Sequence, residues 1–460
     1  MGRMLAEYQV MVEHGGTDEL RGLLAAGEEP EAILQRTPLY PHMREATERF
    51  EAALGLYEAL GDRKGIMSSI IGLAYTSWGA EIRFGAAQRL EDMRRLWTRV
   101  RAFTTDSERA IADAQMLVGV EVFAYAKGSY DLAISRGEEA HRAAHALGDR
   151  GLEFLASGFA ALAHVALGEP LEADRWLERA ASAAAASPTP LRARRLESWR
   201  GQTRAAAGDA PGMRRHLEAA VERATEDGRP AARCEALADL ALMAARLGRT
   251  QVDAELLELA DGSAREAASL ARLLPGHPPW GPRADAALGA VALARGDMEG
   301  AAAAAGSALE ALHAAKQDDL DLALILTAAG TLLVAAPEDR VGGLRELLRQ
   351  IAAIVAQRIV DDDVRARFFR AGLGRELVAL AGTGEPGSGD RPEEPRPAGL
   401  SDQDLRLLRL MSEGRTNAEL ARELGVGTDE VARRLGALLR KLASSSRAEA
   451  TAFAFRAGLM

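Results

Sequence analysis

The stretch TNAELARELGVGTDEVARRLGALLRKL, Thr416–Leu442, determines the fold of the C-terminal part of this 460-residue chain. It contains two runs with apolar residues at helical spacing, separated by Gly425-Val426-Gly427. Glycine readily adopts the backbone conformations that a tight turn between helices requires. Thr428, directly after the turn, is of a type that caps helices, and we expect it to cap a second helix that runs to about Leu442. Two short helices joined by such a turn have the outline of a helix-turn-helix.

The second of these helices has two chemically different sides. Its large apolar residues recur at alternating steps of four and three, which places them on one face that must enter a small core. These residues are Val431, Leu435, Leu438 and Leu442. Arg433 and Arg440 point away from that core, and Arg434, Ala437 and Lys441 flank them. Cationic groups on the exposed side of a helix are what contacts to DNA phosphates and guanine edges require.

Around this stretch, residues 400–460 carry three further helix starts. Ser401 is followed after three residues by Asp404, Thr416 by Glu419 and Ser446 by Glu449, as in a capping box. The sequence therefore predicts four short helices. The segment resembles the LuxR-type DNA-binding domain at a set of positions that spans three helices. The matching runs are 407–410, 413–414, 416–421, 424–426, 431, 435, 439–442 and 446–450.

The resemblance implies double-stranded DNA as the partner and a fourth helix that mediates homodimerisation. It also implies that the third helix reads the major groove, while Asn417 and Arg447 approach the DNA backbone. The candidate DNA-binding residues are Asn417, Thr428, Glu430, Arg433, Arg434, Ala437, Arg440, Lys441 and Arg447.

Two departures from the LuxR pattern bear on DNA reading. The family's third helix usually opens with Thr-Val-Lys, whereas this chain has Glu430, Val431 and Ala432. Residues 400–460 hold 10 Arg and Lys against 8 Asp and Glu, a net charge of only +2. Since each phosphate contact adds to affinity, a monomer should bind DNA weakly. The alternative is a protein-interaction scaffold with a degenerate helix-turn-helix that no longer reads DNA.

The segment before this domain reads as a linker. Residues 382–399 contain five Gly and four Pro, with acidic residues between them. Such a composition buries no core and favours a flexible connection. We expect the helix-turn-helix domain to occupy residues 400–460 and to move relative to what precedes it.

The larger N-terminal part is predicted to be a repeat array. Short turn signals ending in Gly128, Gly168, Gly208 and Gly248 follow at intervals of 40 residues, and another ends in Gly296. Each unit holds two helical stretches, and stacked helical hairpins form a curved solenoid with a concave surface. The array resembles tetratricopeptide-type repeats, most closely at FEAALGLYEALGD, residues 50–62.

The sequence therefore predicts an all-α protein: a right-handed helical-hairpin, tetratricopeptide-like solenoid followed by a small four-helix LuxR-type helix-turn-helix domain. We expect an N-terminal helical cap at 1–43 and the repeats at 44–381. The concave repeat surface is the expected site for an effector, a protein or a peptide. In this interpretation the repeats act as a sensor that controls the DNA-binding domain.

Composition and charge exclude several other classes of protein. The net charge of −10 disfavours a protein that coats DNA or an anionic membrane with its whole surface. One cysteine permits no intramolecular disulfide, and no apolar run is long enough for a signal peptide or a membrane span. We therefore expect a cytoplasmic protein without a membrane partner. The chain lacks the P-loop pattern that often opens regulators of this kind, so it resembles their sensor and output parts without the ATPase.

No group of residues predicts catalysis, a cofactor or a metal. His141 and His145, with Glu138 one turn earlier, have a spacing that could hold a metal, but we interpret them as residues of a solvated helix face. The GTGEPG at 382–387 matches a dinucleotide-binding pattern only formally, because it contains Pro and follows no strand. Asp361–Asp363 are interpreted as helix-terminal charges, and Cys234 as a packing residue. The five tryptophans are expected to pack between helices; they are Trp78, Trp97, Trp176, Trp199 and Trp280.

Overall fold

The computed structural model describes residues 41–62, 65, 66, 69, 106–228, 230–272, 280–314, 320–382, 400–412, 417–442 and 450. All regular elements among these residues are α-helices, eighteen in number. The chain divides into two compact units, Met1–Glu385 and Pro386–Met460. The predicted all-α class is confirmed. None of the described helices has both the length and the hydropathy needed to cross a bilayer.

Fifteen described helices belong to the first unit. They are α1 (Pro41–Leu60), α2 (Asp106–Lys127), α3 (Tyr130–Leu147), α4 (Arg150–Ala166), α5 (Pro170–Ala186), α6 (Pro190–Ala206), α7 (Ala210–Glu226), α8 (Pro230–Gln251), α9 (Ala254–Arg272), α10 (Trp280–Ala294), α11 (Met298–Ala314), α12 (Leu322–Ala335), α13 (Glu338–Arg358), α14 (Asp362–Arg370) and α15 (Gly372–Ala381). The predicted cap at 1–43 lies almost entirely outside the described residues.

Tight turns fold most of these helices into hairpins. Gly128, Gly168, Gly208 and Gly296 all have φ between +73° and +80°, the left-handed conformation that glycine adopts without a Cβ penalty. Aspartates begin several helices; the Asp149 carboxylate, for example, accepts hydrogen bonds from the backbone N–H groups of residues 151 and 152 at the start of α4. The predicted hairpins are thus confirmed at these four turns.

The prediction of a turn at Gly248 is wrong. Helix α8 continues to Gln251, and the backbone reverses at Val252, which has φ +55°. Gly248 is instead buried within the helix, where an added Cβ would lie 3.0 Å from Cγ of Leu257 on α9. The missing side chain therefore lets α9 approach α8 closely. The sequence pattern alone does not distinguish a glycine at such a helix contact from a glycine in a turn.

The even-numbered helices α2 to α12 form a continuous row, because each packs against its hairpin partner and against the next even-numbered helix. Small residues at the contacts allow close approach. Trp199 of α6 packs against Gly158 of α4, and its ring stacks on Phe154 with centroids 4.8 Å apart. Buried alanines fill much of the remaining core, including Ala160, Ala238 and Ala264. Small side chains therefore allow the helices to pack closely, although the chain contains few aromatic residues.

The array closes on itself within the first unit. Helix α15 packs against α4, and α14 against α3. One core cluster combines Tyr130 and Leu167 from the first hairpins with Leu348 and Phe368 from the last helices. The rings of Tyr130 and Phe368 lie 5.4 Å apart. The two ends of the row therefore share a hydrophobic core.

Hydrogen bonds also connect the two ends of the array. The Leu320 N–H donates to the carbonyl of Ala126 at 2.8 Å, and the Arg358 guanidinium donates to the carbonyl of Lys127 at 2.7 Å. Asp131 accepts hydrogen bonds from the N–H groups of residues 360 and 361, at 2.7 and 2.9 Å. These bonds fix the register between the two ends of the array.

The second unit contains α16 (Asp402–Ser412), α17 (Asn417–Leu424) and α18 (Thr428–Lys441). The capping box at Ser401 is confirmed: the Asp404 N–H donates to the Ser401 hydroxyl oxygen at 3.2 Å, and the Ser401 N–H donates to the Asp404 carboxylate at 2.8 Å. The predicted cap at Thr428 is wrong: Gly427 is the N-cap, and Thr428 is the first helical residue. Of the predicted fourth helix, only Ala450 lies within the described residues, and it is helical and buried.

Candidate nucleic-acid interface

Helix α18 has the two-sided character that its sequence predicts. Val431, Leu435 and Leu438 are buried in the small core of the second unit, together with residues of α16 and α17. Arg433, on the other side, has a side chain that is 77% exposed. Because the apolar face is anchored in the core, the cationic face of this helix must point away from that core.

The turn before α18 sets the angle between the two helices of the motif. Gly425 has φ +65°, and the Val426 N–H donates to the carbonyl of Ala421 at 3.0 Å. These are the features of a helix end closed by a left-handed glycine. After this turn, Gly427 has an extended backbone and is the N-cap of α18.

Glu430 neutralises part of the cationic face. Its carboxylate accepts a hydrogen bond from Nε of Arg434 at 2.6 Å and forms an ion pair with Arg433. These partners lie four and three residues further along the helix, so all three side chains share one surface. Surface pairs of this type contribute only about 0.3–0.5 kcal/mol each, so DNA phosphates can compete for both arginines.

Lys441 connects the end of α18 to the beginning of α16. Its ammonium group lies 2.5 Å from the Asp404 carboxylate, which also accepts the hydrogen bonds of the Ser401 cap. Burial raises the pKa of Asp404, but the hydrogen bonds from Lys441 and Ser401 outweigh it and lower the pKa below its ordinary value. Lys441 therefore links α18 to the start of α16 in addition to being a candidate phosphate contact.

The remaining predicted residues are distributed around this face. Arg440 and Thr428 are exposed at opposite ends of α18, Ala437 is half-buried, and Asn417 is exposed at the start of α17. Within the described part of the chain, Arg440 forms no ion pair, so its guanidinium is the cation of α18 most available to a ligand. Arg447 lies outside the described residues.

Sequence reasoning treated the arginines of α18 as independent and so missed the pairs with Glu430. The spacing of three and four residues between Glu430 and its partners was a sufficient signal for them. The contact between Lys441 and Asp404 had no local signal, because these residues meet only once the small core has formed.

The other residues singled out in the sequence make hydrogen bonds, cap a helix or pack in the core. His145 Nδ1 lies 2.8 Å from the Glu153 carboxylate, and His141 Nδ1 lies 3.1 Å from the Ser157 hydroxyl. Burial raises the pKa of the Cys234 thiol to about 12. Asp361 caps α14 through the Val364 N–H, as interpreted. Three of the tryptophans are buried, as predicted, namely Trp176, Trp199 and Trp280, while Trp78 and Trp97 lie outside the described residues.

The first unit contains a second candidate site, a partly open cavity of about 390 Å³. Helices α2, α4, α6 and α8 form its walls, and residues of α10 to α12 and α15 complete them. Its lining is mainly apolar, with tyrosine and phenylalanine rings on one side. Four charged side chains reach it: Arg246, Arg283, Asp321 and Arg375.

Residues 398–454 match the family of bacterial regulatory proteins of the luxR type, GerE. The second unit thus contains a LuxR-type helix-turn-helix, and the predicted resemblance is confirmed. No curated protein matches the chain. Among solved structures, the crystal structure of Rap protein complexed with competence and sporulation factor is similar, at 12% identity and a TM-score of 0.44; the alignment covers 74% of this chain and 99% of that chain.

Proposed function

We propose that this protein is a cytoplasmic transcriptional regulator that binds double-stranded DNA as a homodimer through α18. In this proposal the helical array senses an effector and controls DNA binding. The observation that carries it is the geometry of α18 within a LuxR-type domain. A buried apolar face fixes the helix, and the opposite face presents Arg433, Arg434 and Arg440 to solvent.

These arginines suit two kinds of DNA contact. A guanidinium forms bidentate hydrogen bonds with guanine O6 and N7 in the major groove, or binds phosphate oxygens without sequence preference. Arg440, which has no ion pair in the described residues, is the strongest candidate for a base or phosphate contact.

A homodimer follows from the weak charge of one domain. A net charge of +2 over residues 400–460 provides few phosphate contacts, so specific affinity requires two half-sites. Dimers with a recognition helix in each major groove read half-sites about one helical turn apart. We therefore expect an operator with two-fold symmetry.

Fluorescence anisotropy with labelled genomic fragments tests DNA binding at about 50 and 150 mM salt. Arg440→Ala and Arg433→Ala should weaken specific binding by about 1–3 kcal/mol each, because each removes a direct contact. Arg406→Ala, an exposed arginine on α16, is the control and should change affinity little. Binding that is absent, or that is insensitive to salt and to both α18 variants, would overturn the proposal.

The second candidate function is a protein-interaction scaffold that does not read DNA. The observation that favours it is the neutralisation of Arg433 and Arg434 by Glu430. A scaffold should capture the same partner through the array whether or not residues 400–460 are present. Capture that depends on those residues, together with sequence-specific anisotropy, excludes the scaffold.

A further inference from the structure

The cavity of the first unit has the size and chemistry of a small-molecule site. Its volume of about 390 Å³ lies within the usual range of about 300–1,000 Å³ for ligand pockets. The aromatic wall consists of Tyr125, Tyr130 and Phe159, with ring centroids about 6 Å apart along the series. Leu162, Met243 and other aliphatic side chains extend this wall. Such a surface binds an apolar group of similar size.

The charged groups around the cavity do not balance one another. Arg283 is buried and bound by two carboxylates: its Nε donates to Asp321 at 2.6 Å, and it forms an ion pair with Asp239. Arg246 is bound by one carboxylate, that of Glu376, at 2.5 Å, and also donates to the Thr327 hydroxyl at 3.0 Å. Arg283 thus has two carboxylate partners, whereas Arg246 has one among the described residues and lines the cavity.

Two further arginines in or next to the cavity form no ion pair with any described residue. Arg249, one turn after Arg246 on α8, donates to the Thr331 hydroxyl at 3.2 Å, and burial lowers its pKa. Arg375 lines the cavity from α15, is exposed, and forms no ion pair with any described residue. Four arginines thus face three carboxylates around this site. The excess positive charge is concentrated where α8 meets α15.

We propose that the cavity binds an apolar molecule that ends in a carboxylate, with the carboxylate on Arg375 and Arg246 and the apolar part against the aromatic wall. Both ends of the array contribute to the site, since α15 supplies Arg375 while α2, α3 and α4 supply the aromatic rings. Such a ligand therefore strengthens the closure between the two ends. The identification of this ligand as the effector rests on the proposed regulatory function, whereas the binding site itself does not.

Two sources supply this chemistry, a small organic acid and the C-terminus of a short apolar peptide. Isothermal titration of the full chain uses octanoate and 3-phenylpropionate as one set of probes, and the peptide Leu-Leu-Phe as the other. The neutral comparisons are 1-octanol, 3-phenylpropionamide and the C-terminally amidated peptide. At least one free carboxylate should bind about tenfold more tightly than its neutral counterpart, and the set that contains it identifies the source.

Three variants test whether the ligand binds in the cavity. Arg375→Ala removes an exposed side chain that forms no ion pair with a described residue, so the fold should be kept while carboxylate binding falls about tenfold or more. Ala206→Trp fills the cavity from an exposed position at the end of α6 and should abolish binding. Arg214→Ala, which removes an exposed arginine paired with Glu218 on α7, is the control and should bind as the native protein does.

Three results would overturn the site: no free carboxylate binds, neutral counterparts bind equally well, or binding survives both cavity variants. The anisotropy measurement without ligand is independent of all three. Loss of the ligand site with intact DNA binding refutes this inference alone, and the converse refutes the proposed DNA binding alone.

Discussion

The backbones of Gly168 and Gly372 touch across the closure of the array. A Cβ on Gly168 would lie 2.6 Å from the Gly372 nitrogen, and a Cβ on Gly372 would lie 2.7 Å from the Gly168 nitrogen. Both residues have positive φ, +74° and +52°. Two residues from opposite ends of the array therefore need to be glycine for the same contact.

Gly168→Ala should lower the free energy of unfolding by more than the strain of its φ alone. Alanine at positive φ costs about 1–2 kcal/mol, and the clash with Gly372 adds about 1–3 kcal/mol. Gly208→Ala is the matched control, since Gly208 has nearly the same φ, +73°, with no atom within 4 Å of the added Cβ. Urea denaturation compares them; equal losses would show that the closure contact contributes nothing.

Glu430→Gln should strengthen DNA binding. The change releases Arg433 and Arg434 and removes a negative charge from the surface that faces phosphates. At about 0.3–0.5 kcal/mol each, two surface ion pairs correspond to about three- to fivefold in affinity. Asp429→Asn is the control, because it removes the same charge one residue away without breaking these pairs. Anisotropy titrations decide: a smaller or equal gain for Glu430→Gln would mean that the pairs do not restrain the arginines.

Helical periodicity was sufficient to predict the hairpins and the buried face of α18. Val431, Leu435 and Leu438 follow from spacing alone, because the small core can accept only one side of the helix. Gly248 was misassigned because glycine serves both turns and close helix contacts, and the sequence pattern is the same for both.

The closure of the array had no local signal. Phe368 and Tyr130 meet only after every hairpin between them has stacked, so no window of sequence contains their contact. The cavity forms only when the array closes, so the sequence could not predict it either. The expectation of a ligand on the concave surface came from the repeat resemblance, not from Arg246 or Arg375.

The buried Glu121 should make the stability of the fold depend on pH. Glu121 is fully buried, and burial raises the pKa of its carboxyl well above the ordinary value, outweighing the opposing effect of the Ala160 backbone. Its protonated form is favoured in the folded state. The stability that this proton contributes is complete below about pH 4.3, the unfolded pKa, and is lost as pH rises toward and through the folded pKa.

Glu121→Gln removes this dependence of stability on pH. The free energy of unfolding of the variant, relative to that of the native protein, should therefore increase between about pH 5 and 8. Glu153→Gln is the comparison: Glu153 is also buried but is paired with Arg150 at 2.6 Å and His145 at 2.8 Å. Its loss should destabilise the fold by about 1–3 kcal/mol. Urea midpoints across this pH range test both, and a Glu121→Gln difference that does not vary with pH contradicts the assignment.

Arg283→Met should be strongly destabilising. Arg283 bridges Asp239 and Asp321, and its removal leaves two carboxylates facing each other in a buried site. Breaking a buried ion pair from one side costs about 3–5 kcal/mol.

Arg295→Met provides the exposed counterpart, because Arg295 bridges Glu258 and Asp261 at 2.6 and 3.2 Å on the surface. It should cost at most about 1 kcal/mol. Chemical denaturation of the two variants measures the difference. Similar losses would mean that the buried bridge is not needed to hold α8, α10 and α12 together.

Genome-wide crosslinking of the native protein and the Arg440→Ala variant, expressed at equal levels, tests the regulatory account most directly. The account predicts discrete binding sites that share a two-fold symmetric sequence and that are depleted when Arg440 is replaced. A uniform background, or the same set of sites for both proteins, would contradict it.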